Sequence, residues 1–470
     1  MAGIGFELKK MFRGQGYLSG MKAYAYSSLV TVGPMLLCML MVTVLQQMLL
    51  YLDVSYQERM TFLSAVVYAF VFSLLVTCGF VMVVSRYIAD KIYMREYDDI
   101  IASLYGVMAV CLGIGGVSGA VFYFFSPLDD AFKWSAYLLF VELIVVWLQA
   151  AYLSALKDYM RIIRGYLTAV VLTILAAYLF VYVFGLQTGF GMLLAMNIGF
   201  FAMIVLSMLH LESYFRKRER NYFDFLRYIK WYPTLLGTGL FCSLGFYIHN
   251  FVYWSMSPLQ ERIASTYWIA SSYDVPAFYA SLSILPTMVM FVVSVETAFY
   301  EKYRQYYGTI LGTGSVLDIK RAKKDMISTL MQELGFMMEI QLFFTFVSLA
   351  LGITLLPHIG FSSEQIERFN ILVMAGFLYA VMFVVMLLLL YFDDRRGAFL
   401  VTVLFVTGTA ILTVAMLPLQ NYGFSFFVAT FLALAAALAR LIYFLKNIDY
   451  YTYCSQPLIA KDPGIGQPSK

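Results

Sequence analysis

Long apolar runs separated by short polar connections make up nearly the whole chain, and there are twelve of them. The first six are Ala23–Leu50, Thr61–Ala89, Ile100–Phe125, Phe132–Leu156, Gly165–Phe184 and Gly189–Leu211. The second six are Pro233–Trp254, Tyr273–Tyr300, Leu334–Leu356, Asn370–Phe392, Ala398–Leu417 and Tyr422–Phe444. A helix rises about 1.5 Å per residue, so about 20 apolar residues cross a ~30 Å hydrocarbon layer. Apolarity is continuous within each run rather than alternating, which predicts helices and not a β-barrel. In lipid a helix also satisfies its own backbone polar groups. The pattern predicts an all-α polytopic membrane protein with 12 transmembrane helices.

Polar positions between the runs set the orientation. With the N-terminus in the cytoplasm, 28 of the 32 Lys and Arg residues fall on the cytoplasmic side. Only Arg59, Lys133, Arg262 and Arg368 fall on the other. That bias predicts an N-in/C-in topology. Six spans precede a basic connection and six follow it. The expected organisation is a cytoplasmic interfacial segment (1–22), a six-helix lobe (23–211), a basic linker (212–232), a second six-helix lobe (233–446) and a cytoplasmic tail (447–470). Both halves start from the same side, as parallel repeats about an axis along the membrane normal do. In the first segment Ile4, Leu8 and Met11 recur at helical spacing among Lys9, Lys10 and Arg13, the pattern of a short helix on an anionic membrane surface. The cytoplasmic stretch Glu301–Glu333 contains Lys320-Arg321-Ala322-Lys323-Lys324 in helical context, a basic patch facing lipid or a docking partner.

Composition agrees with the membrane reading. The chain is 62% hydrophobic and 13% charged, against about 25% charged in ordinary globular proteins. Its mean hydropathy is +0.78. Soluble, disordered and nucleic-acid-binding classes are thereby excluded. The cysteines Cys38, Cys78, Cys111, Cys242 and Cys454 have no paired spacing, so free thiols are expected. The histidines are far apart and suggest no metal site. There is no P-loop or nucleophile-elbow motif, and no connection is long enough for a soluble catalytic domain. No enzyme and no cofactor is expected; transport or scaffolding is.

Ionisable residues inside spans are the exceptions that carry information, because each costs about 2.5–3.5 kcal/mol at a helix centre. Glu142 lies near mid-depth in span 4, and Gln149 follows two turns later on the same face. Glu142 is either a solute or proton contact or a carboxyl kept neutral between helices. Arg86, Glu296 and Glu339 sit nearer the cytoplasmic ends. Asp274, and His249 with Asn250, sit near the outer mouth, where they line an exit path or are simply hydrated. Asn197 is expected to hydrogen-bond between helices. Gly33-Pro34 in span 1 is a candidate hinge. Gly237, Gly239 and Gly245 in span 7 and Pro276 and Pro286 in span 8 are read as further weak points, and Gly115 with Gly119 as a packing contact. Tyrosines within spans offer rings and hydroxyls suited to sugars.

Short motifs through most of the chain resemble the PelG family, inner-membrane transporters of bacterial Pel exopolysaccharide systems. They are Met1-Ala2-Gly3-Ile4-Gly5-Phe6-Glu7-Leu8, Ala23-Tyr24-Ala25-Tyr26, Gly33-Pro34, Ile248-His249-Asn250 with Trp254, Tyr273-Asp274-Val275-Pro276, Val295-Glu296-Thr297 and Tyr391-Phe392-Asp393-Asp394-Arg395-Arg396. The resemblance implies a fold similar to the MATE/MOP flippases and a growing N-acetylgalactosamine-rich polymer as substrate. It also implies three partners: the glycosyltransferase PelF, the cyclic-di-GMP receptor PelD, and PelE. The leading expectation is a polysaccharide translocator with Glu142, Gln149, Asp274 and Glu296 as polar lining. Its rivals are a cation-coupled small-solute antiporter and a non-transporting scaffold of the synthase.

Overall fold

The computed structural model describes residues 17–156, 159–215, 221–312 and 314–454. The amphipathic segment around Ile4 and the run Arg216–Arg220 lie outside the described residues. Within them the chain is nearly all helix. Spans 1 to 6 are α1 (Tyr17–Tyr51), α2 (Tyr56–Met94), α3 (Ile100–Phe124), α4 (Asp130–Ala155), α5 (Tyr159–Tyr182) and α6 (Gly189–Tyr214). A short linker helix α7 (Phe225–Trp231) leads to span 7, α8 (Pro233–Met256). A β-hairpin, β1 (Glu261–Ile263) paired antiparallel with β2 (Tyr267–Ile269), then enters span 8. Span 8 is divided into α9 (Ser271–Ser281) and α10 (Leu285–Ser294), followed by a π-helical turn, Val295–Phe299. Next come α11 (Tyr300–Leu311), α12 (Val316–Leu355, span 9), α13 (Ser363–Tyr391, span 10), α14 (Arg395–Met416, span 11), α15 (Phe424–Lys446, span 12) and α16 (Ile448–Tyr453). Twelve helices are long and apolar enough to cross a membrane. An even number of crossings puts the start of α1 and the end of α15 at one end, called here the linker end; the other is the hairpin end.

The packing repeats. Spans 1 and 5, 2 and 4, 4 and 6, 5 and 6, and 3 and 4 pack together in the first lobe. Spans 7 and 11, 8 and 10, 10 and 12, 11 and 12, and 9 and 10 pack the same way in the second. Between lobes, span 2 meets span 7 and span 1 meets span 8. A two-fold axis along the membrane normal produces this exchange, since it carries span 1 onto span 7 and span 2 onto span 8.

Several local features have chemical causes. Ser315 caps α12 through a reciprocal bond with Asp318, and that helix runs 40 residues without interruption, longer than its apolar stretch requires. Asp394 caps α14 through the amide of Gly397 and takes two bonds from Arg440 of α15 at 2.6 and 2.9 Å. The Asp393-Asp394-Arg395-Arg396 motif is thus a helix start clamped to its neighbour. Asn197 donates to the carbonyl and hydroxyl of Ser135, as expected for a seam between spans 4 and 6. Gly115 and Gly119 receive Ile144 and Phe140 of α4. The glycines of span 7 do not weaken it, contrary to expectation: α8 is continuous, and Gly237 and Gly245 receive the rings of Phe399 and Phe405 from α14.

Candidate functional site

Among the described residues the two lobes meet along a seam in which span 2 packs on span 7 and span 1 on span 8. It is closed along spans 2 and 7. Toward the linker end, helix backbones touch through one glycine from each side. A Cβ on Gly79 would stand 2.9 Å from the carbonyl oxygen of Leu236, and one on Gly239 would stand 2.6 Å from that of Cys78. Only the smallest residue permits that approach. Toward the hairpin end aromatic rings take over: Phe72 of α2 stacks on Phe251 of α8 at 5.5 Å, and Tyr68 stacks on Trp254 at 5.3 Å.

The hairpin completes the closure. It belongs to the second lobe but packs on α2 of the first. The Tyr68 hydroxyl donates to the carbonyl of Trp268 at 2.6 Å and accepts from its amide at 2.9 Å, so one side chain satisfies a strand edge that lacks a neighbour. The Tyr123 and Tyr267 hydroxyls lie 3.2 Å apart, and those of Ser126 and Thr266 lie 2.8 Å apart. The hairpin turn places Ala264 and Ser265 at φ of 46° and 53°. Tight hairpins require such angles, but glycine or asparagine normally supplies them. Here Arg262 donates to the Ser265 carbonyl at 2.8 Å and lies over the Trp268 ring, holding the turn in place.

Behind the hairpin, Asp274 is a pin. Its carboxylate accepts from Asn250 Nδ2, Trp254 Nε1 and the Ala270 amide, each at 2.8 Å. His249 Nδ1 lies 2.8 Å from the Tyr273 hydroxyl. The three outer-mouth candidates therefore come together, organising the base of the hairpin. Glu142 and Gln149 form a separate group. Both are buried in the first lobe on the face of α4 that carries Ser135. Gln149 donates to the Ile204 carbonyl at 3.1 Å. One carboxyl oxygen of Glu142 is buried with no hydrogen-bond partner among the described residues, as is the side-chain oxygen of Gln149. Glu296 stands in the π-helical turn, and its side chain is outside the described residues.

The break in span 8 lies beside the seam. Pro276 and Pro286 cannot donate backbone hydrogen bonds. Arg368 NH1 donates to the carbonyl of Ser272, the acceptor that Pro276 leaves vacant, at 2.8 Å. A 3₁₀ turn, Leu282–Ile284, precedes Pro286. Buried Gln341 of α12 donates to the Ser283 carbonyl at 2.8 Å and accepts from the Thr287 hydroxyl. On one side of the turn α9 packs on α13 of its own lobe, and on the other α10 packs on α1 of the first lobe. Past the turn the helix stays packed on α12 of its own lobe and also meets α1 of the first. By contrast α1 continues through Gly33 and Pro34.

Trp268 and Gln341 were not singled out from sequence; Tyr68 was read only as one of many tyrosines within spans, and Arg368 only as a basic residue away from the cytoplasmic side. Gln341 carries the same signal as Gln149, an amide within an apolar run. Arg368 is one of only four basic residues at the hairpin end.

At the linker end the lobes are tied by Tyr232, whose ring lies beneath Arg395 at 4.6 Å and Arg86 at 5.7 Å. Tyr105 donates to Glu212, and Asn221 to Asp99, securing the linker to the first lobe.

Comparison with known proteins gives the same architecture. Residues 1–453 match the PelG exopolysaccharide exporter (EPS-E) family. No curated protein sequence matches. Among solved structures, an outward-facing multidrug resistance MATE family transporter of the MOP superfamily superimposes with a TM-score of 0.59 at 12% identity, covering 97% of this chain and 100% of that one. The eukaryotic MATE transporter AtDTX14 gives 0.59 at 9% identity over 91% and 96%. The MATE transporter ClbM in complex with Rb+ gives 0.54 at 12% identity over 90% and 97%.

Proposed function

As the chain belongs to the PelG family of exopolysaccharide exporters, we propose that it carries an N-acetylgalactosamine-rich polysaccharide of the Pel type across the bacterial inner membrane. Its partners in this reading are the polymer-synthesising glycosyltransferase PelF together with PelD and PelE. The linker end faces the cytoplasm, in the orientation that the distribution of Lys and Arg favours. The lobes are drawn at 23–211 and 233–446, joined by the linker 212–232, with 1–22 and 447–470 on the cytoplasmic side.

One observation carries the reading: the hairpin of the second lobe is fastened to Tyr68 of the first by two backbone hydrogen bonds. A contact held by two hydrogen bonds and stacked rings can be released and remade, as alternating access requires. His249, Asn250 and Asp274 set the resting position of the hairpin. Glu142 and Gln149 lend polarity to the first lobe, and Glu296 is assigned to the cytoplasmic part of the path from its place in the sequence. Gly33 and Pro34 bend α1 as the lobes move, and the 3₁₀ turn at Leu282–Ile284 bends span 8.

The test is reconstitution with the synthase partners and measurement of polymer delivered to the far side, comparing wild type with Glu142→Ala. Polymer retained on the near side despite normal assembly supports the proposal. Undiminished export by partners lacking this chain eliminates it.

A further inference from the structure

The helical hairpin formed by α11 and the first half of α12 has no role in the seam, and its surface is unusual. Its base is firmly held. Phe299 and Tyr303 pack on Tyr391 and Phe392, Tyr306 is buried, and Lys323 pairs with Asp449 of α16 at 2.7 Å. The tip, in contrast, is bare and apolar: Leu311, Val316 and Leu317 are 87%, 69% and 66% exposed. Exposed Lys320, Arg321 and Lys324 stand beside it and form no hydrogen bond or ion pair among the described residues. Lys320, Lys323 and Lys324 line a groove of about 410 Å³ with Ile327 and Ser328. An apolar centre with a charged rim is the anatomy of a protein docking surface.

Distance decides between a membrane and a protein as occupant. The apolar stretch of α12 begins at Leu334, and Leu317 lies seventeen residues before it in one continuous helix. At about 1.5 Å per residue the tip stands roughly 26 Å beyond the hydrocarbon edge. A tilt of 40°, the upper end for membrane helices, still leaves about 20 Å. The headgroup layer is only about 5–8 Å deep. Lipid does not reach the tip. Nor does the rest of the chain complement it: the segments 1–16, 216–220 and 455–470 each carry more Lys and Arg than Asp and Glu. A second copy would set like charges against each other.

We propose that this arm docks the soluble glycosyltransferase that supplies the exported polymer, through an apolar cleft rimmed by carboxylates on that enzyme. The assignment rests on the export reading and its orientation, because a growing polymer must pass from its synthase into the exporter on the cytoplasmic side. Handing over the chain end at the exporter's cytoplasmic face keeps a long, hydrated polymer from escaping into the cytosol.

The experiment places the full chain in nanodiscs and measures the affinity of the purified glycosyltransferase of the same system. Leu317→Ser and the pair Lys320→Glu/Lys324→Glu are compared with wild type. All three side chains are exposed, so folding is spared. Each variant is expected to weaken binding about tenfold or more, as loss of an interface anchor does, with wild-type binding falling as salt rises. Equal affinity in all variants overturns the proposal. An environment-sensitive fluorophore on Leu317→Cys, with exposed Cys454 changed to Ser, is expected to ignore added phosphatidylglycerol; a blue shift puts the tip in headgroups and overturns it. The same cysteine is expected to resist an impermeant thiol reagent until cells are permeabilised; labelling of intact cells refutes the orientation and the arm together. Export is measured alongside. Intact export with unaltered affinity removes the docking arm alone, whereas no export by the wild-type complex removes the reading beneath it and the arm with it.

Discussion

Trp254 lies flat on Tyr68 with the two ring planes 9° from parallel, and the two residues belong to different lobes. The stack is held in register by the Tyr68 hydroxyl, which engages both backbone groups of Trp268. Tyr68→Phe keeps the ring and removes those bonds, stranding an amide and a carbonyl at a cost of about 1–3 kcal/mol. The lobes are expected to part at the hairpin end. A cysteine at Thr266 should then react faster with a thiol reagent added from that side; an unchanged rate would show that Tyr68 does not fasten the seam.

A Cβ on Gly239 would meet the Cys78 carbonyl of α2 as well as the Met82 side chain, and although the side chain can swing aside the backbone cannot. Gly239→Ala is expected to lower stability by about 1–3 kcal/mol, the range for overpacking, and to reduce polymer export. Gly335→Ala is the control, since a Cβ there meets nothing within 4 Å. Thermal unfolding of both variants in detergent checks the difference, and equal melting temperatures would refute the close contact.

Gln341 bridges the 3₁₀ turn before Pro286, bonding the Ser283 carbonyl and the Thr287 hydroxyl. Gln341→Leu leaves the Ser283 carbonyl and the Thr287 hydroxyl without this partner. Faster amide exchange is expected across residues 282–287, with exchange in α13 unchanged. Protection equal to wild type at 282–287 would mean that the turn holds itself.

Glu142 has a buried carboxyl oxygen with no hydrogen-bond partner among the described residues, an arrangement that costs stability. Glu142→Leu is expected to raise the melting temperature while lowering export, the trade seen where a polar group is kept for function. A variant that melts earlier and exports normally would make Glu142 a structural residue.

Ala264 adopts a left-handed conformation that costs a side-chain-bearing residue about 1–2 kcal/mol. Ala264→Gly should relieve it, strengthen the closed hairpin and slow labelling of the Thr266 cysteine. Faster labelling would indicate that backbone freedom outweighs the relief.

The helices were legible in the sequence because lipid imposes a length and a composition on each one separately. Ends were less so. Span 2 continues past Ala89 to Met94, and α12 runs far outside the apolar stretch beginning at Leu334, because polar residues such as Lys91 and Lys320 are good helix formers wherever water is available. Pro286 correctly marked a break, whereas Gly239 was misread, since a glycine that loosens a lone helix also lets two helices touch. The hairpin escaped notice altogether: its strands are three residues long and its turn lacks the glycine or asparagine that announces one. Asp274 was visible as a carboxylate but not as a pin, because its partners Asn250 and Trp254 lie more than a connection away.

Span 2 packs on span 7 more extensively than span 1 packs on span 8. If the lobes part as the export proposal requires, the first contact would act as the spine of a book and the second as its open edge. The opening would then be a slit rather than a ring, and a long polymer lying in it would keep one flank toward the lipid instead of being encircled.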